Sequence, residues 1–298
     1  MDSNNYYIWF NFKTTDVTKD MPKKATIFAP EEFEISYDWQ HHQDFDRIKD
    51  IDLTLLFGSA DKNYYTGRAN YPPNAKIEVW PTYWFNATYY EFTISPKNVR
   101  YNNIDKLYIS LNNKGHFHRC LKIDELYHND LIKDGAVTFH DPTSNKYQWK
   151  YWRNPTQLVL DKQYTTSMDS YKTLPSEFGS TLLSLVAEST METVFLTEKT
   201  CTPILFAKPF IVFGAVGTHQ VLKDLGFELY DELFDYSFDS VTDINKRLEG
   251  ILDNLKHLAG QDYNALRAKI ADKAEYNKQH MIKIATTKSY LPDVMVKH

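Results

Sequence analysis

The sequence predicts an α/β protein with two Rossmann-like units facing a cleft. Three observations predict it. Short apolar-rich runs recur at 105–111, 182–187 and 210–213, and near-continuous apolar runs are typical of strands inside a parallel sheet. Helical periods alternate with these runs, the order expected of parallel α/β folds. Polar residues gather where each strand should end, which is where open α/β sheets bind ligands.

The elements follow in order. Strands are expected at 6–12, 25–29, 52–57 and 76–80, the last followed by Pro81-Thr82-Tyr83-Trp84-Phe85. The segments between them are rich in Asp, Asn, Tyr and Pro and read as long loops. A second unit starts near Asn103 with a strand at 105–111 and the breaker turn Asn112-Asn113-Lys114-Gly115. A helix is predicted over 117–133 from Leu121, Leu126, Tyr127 and Leu131, with Gly135 as its stop. Strands are expected at 136–140, 146–152, 182–187, 210–213 and 228–230, and helices at 197–207, 218–225, 243–258 and 263–288. The predicted units are an α/β domain over 1–103, a second α/β domain over 104–260, and a C-terminal helix over 261–298 that can return to the N-terminal domain.

Bulk properties exclude several classes. At 298 residues the chain fits two domains on a prior of about 150 residues each. A hydrophobic share of 42% and a charged share of 24% are those of a globular protein with a core. The net charge of −5 gives no global positive field for nucleic acid. Cys120 and Cys201 are too far apart for a metal knuckle or redox pair, so a reducing, cytoplasmic setting is expected. No signal peptide and no apolar run of about 20 residues is present, so membrane insertion is not expected. The aromatic share of 15% is read mainly as core filling.

Chemistry concentrates in a few places. Thr197 is a plausible N-cap, Glu198 suits the first helical turn, and Lys199 with exposed amides suits a diphosphate. Gly214, Gly217 and Thr218 form a strand-to-helix turn that also suits a phosphate, although it is neither the dinucleotide fingerprint nor a P-loop. His118 and Arg119 start a helix after a strand, and an arginine there can contact phosphate in bidentate fashion. Asp44-x-Asp46, Asp50-x-Asp52 and the neighbouring His41-His42 could hold a metal, but solvated loop is the better reading. There is no serine-hydrolase elbow, zinc motif or kinase set.

Together the segments resemble glycosyltransferases of the GT-B fold, closest to the α-1,3-fucosyltransferase type (family 10) and related transferases of large DNA viruses and phages. The residues that carry it are Leu185-Val186-Ala187-Glu188-Ser189-Thr190, Phe195-Leu196-Thr197-Glu198-Lys199, Pro203-Ile204-Leu205 and Lys208-Pro209-Phe210-Ile211-Val212-Phe213-Gly214. Leu111-Asn112-Asn113 to His118-Arg119 resembles the stretch that brings an arginine to the donor diphosphate. The match covers about residues 105–247. It implies an acceptor-side domain over 1–103, a donor domain over 104–260, and metal-independent transfer from a nucleotide-sugar, with no cofactor. Arg119 and Lys199 would neutralise the diphosphate, and Glu198 would hold ribose or sugar hydroxyls. His118, Glu188, Ser189, Thr190 and Thr197 would line the pocket. Ser189-Thr190 stands where the family has Asn-Ser, which leaves sugar and base open. No acceptor motif aligns, so the base is sought among Asp38, His41, Asp46 and Asp61.

The acceptor expected is a glycan or small molecule. An alternative is a phage-type enzyme acting on hydroxymethylated cytosine in DNA, working in the host cytoplasm. The Asn/Lys/Tyr-rich composition and a stretch over 265–298 with seven Lys or Arg against three Asp or Glu favour it. Trp80, Tyr83 and Trp84 could then stack on a flipped base. A further alternative is a non-catalytic sugar-nucleotide-binding protein. A monomer or weak oligomer is expected.

Overall fold

Two parallel four-stranded sheets organise the chain in the computed structural model, which describes residues 6–9, 24–29, 52–66, 74–94, 99–101, 103–142, 146–160, 174–287 and 291. The first sheet contains β1 (Tyr6–Trp9), β2 (Lys24–Ala29), β3 (Asp52–Phe57) and β4 (Lys76–Val79) in sequential order. Helix α1 (Lys62–Thr66) follows β3, and α2 (Tyr83–Ile94) follows β4.

The second sheet is built from β5 (Lys106–Asn112), β6 (Gly135–Phe139), β7 (Thr181–Ala187) and β8 (Phe210–Phe213), in the order β6-β5-β7-β8. After β5, helix α3 (Phe117–His128) crosses to β6 on one side; the chain then returns to place β7 on the other. Strand order therefore reverses at β5 and β7. Helix α4 (Glu198–Leu205) joins β7 to β8, and α5 (Thr218–Asp224) follows β8. Every residue of β6, β7 and β8 is buried, which is why these strands read as apolar runs.

Three more helices complete the described fold: α6 (Ile244–Leu258), α7 (Tyr263–Lys269) and α8 (Ala271–Thr286). Asp243 and Asp262 cap α6 and α7 by accepting two backbone amides each. Ile270 interrupts what the sequence predicts as one long C-terminal helix. The main core runs from Phe85 and Phe92 of α2 through β5, β7 and β8 to Met281 and Ile284 of α8. Asn86 donates from α2 to the Ala285 carbonyl at 2.6 Å and ties the last helix to α2.

The two sheets are also joined near the exits of β3 and β7. Ser59 Oγ lies 3.1 Å from Thr193 Oγ1 and donates to the Val194 carbonyl at 2.9 Å, while the Ala60 amide donates to the same carbonyl at 3.0 Å.

Four local expectations are corrected. The helix predicted over 117–133 ends at His128, where Asp130 takes a left-handed φ of 54°. Gly135 opens β6 instead, because a Cβ there would sit 2.3 Å from the Tyr108 ring. Segment 146–152 is not a strand. Asp124 accepts from the amides of Lys150, Tyr151 and Trp152 and from the Tyr147 hydroxyl, and so curls it. Segment 228–230 is not a strand either, because the Asn277 side chain binds both the Glu228 amide and its carbonyl. The aromatic stretch after β4 opens α2, in which Trp80 and Tyr83 pack edge to face and are buried. No described helix is long and apolar enough to cross a membrane.

Candidate functional site

The reversal of strand order creates a crevice at the carboxyl ends of β5 and β7, the usual ligand position in open α/β sheets. A cleft of about 110 Å³ lies there. Its floor is Ile109 and Leu111 of β5 with Ser184 and Val186 of β7; Leu174, Phe178 and Pro203 add apolar walls. Asn113, Thr138, His140, Glu198, Lys199 and Thr202 supply its polar groups. An apolar slot with a few convergent polar groups is the common form of a small-molecule site.

The rim is built around Glu188, the residue after β7. Its carboxylate is buried and accepts from the Thr197 amide, the Thr197 hydroxyl and the Thr200 hydroxyl. This ties the strand exit to the start of α4. Thr197 also caps the helix by accepting from the Lys199 amide at 3.3 Å. Pro203 inside α4 leaves one amide out of the helical ladder, and the helix ends within a further turn.

Lys199 is the cation that faces the cleft. Its ammonium donates to Ser189 Oγ at 3.1 Å, Thr197 Oγ1 at 3.3 Å and Glu198 Oε1 at 2.7 Å, with the lysine side chain 27% exposed and the glutamate 21%. Burial works to raise the Glu198 pKa, but the Lys199 charge together with hydrogen bonds from Lys199, the backbone and Thr197 outweighs it and leaves the carboxyl below its ordinary range. Glu198 is therefore an ionised hydrogen-bond acceptor at neutral pH.

His118 and Arg119, in the first turn of α3, pack behind the Glu188 backbone. Both are buried. His118 Nε2 donates to the Glu188 carbonyl at 2.7 Å. Arg119 donates to the same carbonyl at 3.3 Å and to the Lys114 carbonyl at 3.5 Å. Burial and then the Arg119 charge push the His118 pKa down to about 3, so the ring is neutral and donates as imidazole. In this arrangement Arg119 braces the Glu188 segment.

Gly214, Gly217 and Thr218 lie at the end of β8 beside Glu188. Gly217 has a φ of 79°, the left-handed turn that favours glycine. Asp239 accepts from the His219 and Gln220 amides and from His219 Nδ1, and its carbonyl accepts from the Gly217 amide. A carboxylate of the chain thus occupies the helix start where an anion was expected. Thr190 accepts from the Glu192 amide in the loop between β7 and α4.

Of the candidate bases, Asp38, His41 and Asp46 lie outside the described residues, as do His42, Asp44 and Asp50. Asp61 caps α1, accepting from the Asn63 and Tyr64 amides. Asp52 pairs with Lys76 across β3 and β4 at 3.5 Å. Among the described residues no group of three or more His, Cys, Asp or Glu is placed to hold a metal. On the basic C-terminal stretch, Lys273 pairs with Glu232 and Lys278 with Glu275. Both cysteines are buried free thiols, with the Cys120 pKa pushed up to about 12 chiefly by burial.

Sequence reasoning missed His140, Leu174, Phe178 and Thr202 on the cleft wall. The first three lie far from the motif-like segments, whereas Thr202 directly precedes the Pro203-Ile204-Leu205 run. No protein-family model, curated protein or solved structure matches the chain.

Proposed function

We propose that this chain is a glycosyltransferase of GT-B type that takes a sugar from a nucleotide-sugar donor. The observation that carries the reading is the cleft at the β5/β7 reversal, where an apolar slot meets Glu198, Lys199 and the start of α4. The nucleoside fits the slot formed by Ile109, Leu111, Leu174, Phe178 and Pro203. Glu198, an ionised acceptor, takes hydrogen bonds from ribose or sugar hydroxyls. Lys199 and the α4 amides face the diphosphate.

The transfer chemistry follows. An acceptor hydroxyl oxygen attacks the anomeric carbon while the bond to the diphosphate breaks and its electron pair leaves with the phosphate. Negative charge grows on that leaving group, and fixed cations placed there lower the barrier. Lys199 supplies that charge from within the cleft. Arg119 adds to the field from behind the Glu188 carbonyl and keeps the rim in place. The acceptor proton passes to a base on the side of the first sheet. The hydrogen bonds of Ser59 and Ala60 to Thr193 and Val194, which join the exits of β3 and β7, support this placement. Glycan or small-molecule acceptors are favoured over DNA because the C-terminal lysines named above are paired with carboxylates and Trp80 and Tyr83 are packed inside.

The test is a thermal-shift panel of UDP-, GDP-, CMP- and ADP-sugars without added metal. A matching donor at 100 times its Kd stabilises the folded state by about 2.7 kcal/mol. Absence of any shift at millimolar concentration overturns a preformed donor site.

A further inference from the structure

We propose that the cleft takes a single-ring base, so that the donor is a pyrimidine nucleoside diphosphate sugar, with the hydroxyls of Ser184 and Thr202 meeting the base's polar edge. This rests on the nucleotide-sugar reading of the same site. Both residues line the cleft and both are buried, at 5% and 8% exposure. Among the described residues neither hydroxyl has a hydrogen-bond partner. Neither is sealed into the core: each keeps some accessible surface, and it opens on the cleft.

The hydroxyls around them are engaged. Thr138 accepts from the Asn112 amide at 3.1 Å, Ser110 donates to the Leu185 carbonyl at 3.0 Å, and Thr197 and Thr200 donate to Glu188. Ser184 interrupts the apolar run of β7, Thr-Leu-Leu-Ser-Leu-Val-Ala. A hydroxyl taken from bulk water without a partner is unfavourable. Two of them on one cleft point to a ligand that supplies the partners.

Their placement suits one nucleoside. Ser184 lies beside Ile109 in the register of β5 and β7. Thr202 follows Glu198 by one turn of α4, about 6 Å along its axis, on the same helix face. A base whose edge meets Ser184 and Thr202 therefore leaves its ribose hydroxyls to Glu198. Ile109, Phe178 and Pro203 take the faces of the ring.

Size and edge chemistry select the ring. A closed apolar cavity of about 150 Å³ holds one benzene. The cleft, at about 110 Å³, has room for one six-membered ring and not for a fused purine. A hydroxyl donates or accepts as it rotates, so two of them match the alternating donors and acceptors of uracil or cytosine. Guanine would bring two adjacent donors, and the carboxylate that lines the cleft, Glu198, is bound to Lys199 at 2.7 Å.

Calorimetric titration of the full chain with UDP, CDP, GDP, ADP and pyrophosphate tests this, with Ser184→Ala and Thr202→Val beside the wild type. UDP or CDP is expected to bind about tenfold or more tighter than GDP and ADP. Each substitution should weaken the preferred nucleotide about fivefold and leave pyrophosphate affinity unchanged. The Tm of the ligand-free variants should hold or rise, because the hydroxyl removed has no partner in the fold. GDP or ADP binding as tightly as the pyrimidine nucleotides overturns the single-ring assignment. Unchanged nucleotide affinity in both variants, or a marked fall in their Tm, overturns the role of the hydroxyls. The donor site survives each of these results. No binding of any nucleotide overturns the donor site, and this inference with it.

Discussion

Thr197 is fastened to Glu188 twice, its amide donating to Oε1 at 3.0 Å and its hydroxyl to Oε2 at 2.5 Å. With Thr200 on Oε1 at 2.5 Å, the carboxylate is a clasp between the end of β7 and the first turn of α4. Removing it leaves buried donors unpaired. Glu188→Ala is expected to cost about 3 kcal/mol, and Glu188→Gln about 1 kcal/mol because it keeps shape and part of the bonding. Urea denaturation measures both. Equal costs would show that the clasp acts through packing instead.

Lys199 separates binding from folding. Its pair with Glu198 is partly exposed and contributes little to stability. Lys199→Met is expected to weaken nucleotide-sugar binding at least tenfold, about 1.4 kcal/mol, with a small change in Tm. Calorimetry beside a melting curve checks it. A large fall in Tm with unchanged affinity would make Lys199 a structural residue.

Asp239 links stability to acid. Burial raises its pKa, but hydrogen bonds from His219 and Gln220 outweigh this and leave it below 3.8. A folded-state pKa below the unfolded value gives stability that is complete above the unfolded pKa. That stability is lost as pH falls through the folded one. Asp239→Asn should therefore be destabilised by about 2 kcal/mol at pH 7, with the gap to wild type narrowing below about pH 4. Denaturation series at pH 7, 5 and 3.5 test the trend, and a constant gap contradicts it.

Asp124 holds an aromatic loop. It is buried and accepts three consecutive amides, those of residues 150–152. Asp124→Ala should release Trp149 and Trp152, which contact each other edge to face at 4.9 Å. The near-UV circular dichroism of the variant should weaken while its far-UV spectrum persists. An unchanged near-UV spectrum would mean the rings hold themselves.

Legibility in the sequence followed the range of the determining contacts. β5, β7 and β8 were readable because both faces are buried and the local run says so. The Thr197 cap and the start of α4 were readable because capping is local. Helix α2 was not, since Phe85 and Phe92 join the main core while Trp84 packs against both clusters, so no single apolar stripe marks it. The two false strands turn on one distant side chain each, Asp124 for 146–152 and Asn277 for 228–230. The turn at 214–218 was correctly placed after a strand, but Asp239, 20 residues beyond His219, occupies its amides. The cleft wall at Leu174 and Phe178 comes from the return crossing to β7, which strand patterns do not reveal.

Lys122 is the least expected core residue. It is fully buried, donating to Ser110 Oγ at 2.7 Å and Asn112 Oδ1 at 2.9 Å, and burial followed by the Arg119 charge lowers its pKa well below 10.5. The unfolded chain then binds this proton more readily, so stability rises with pH until it levels near the ordinary lysine value. Lys122→Met should abolish that rise, worth up to about 1.4 kcal/mol per pH unit. Denaturation between pH 7 and 10 measures it, and an equal slope in both proteins would rule it out.

The His219 ring has one more consequence. β8 ends the order of the second sheet, and its sequence Phe-Ile-Val-Phe is wholly apolar. A bare edge of that kind is a template on which another chain can add a strand and begin to aggregate. The Val212 amide does not face outward unpaired: it donates to His219 Nε2 at 3.1 Å, and Asp239 fixes the ring from its other nitrogen. The helix that follows the 214–218 turn thus covers one outward amide of the sheet's edge strand, and a histidine side chain takes the place that a further strand would need there.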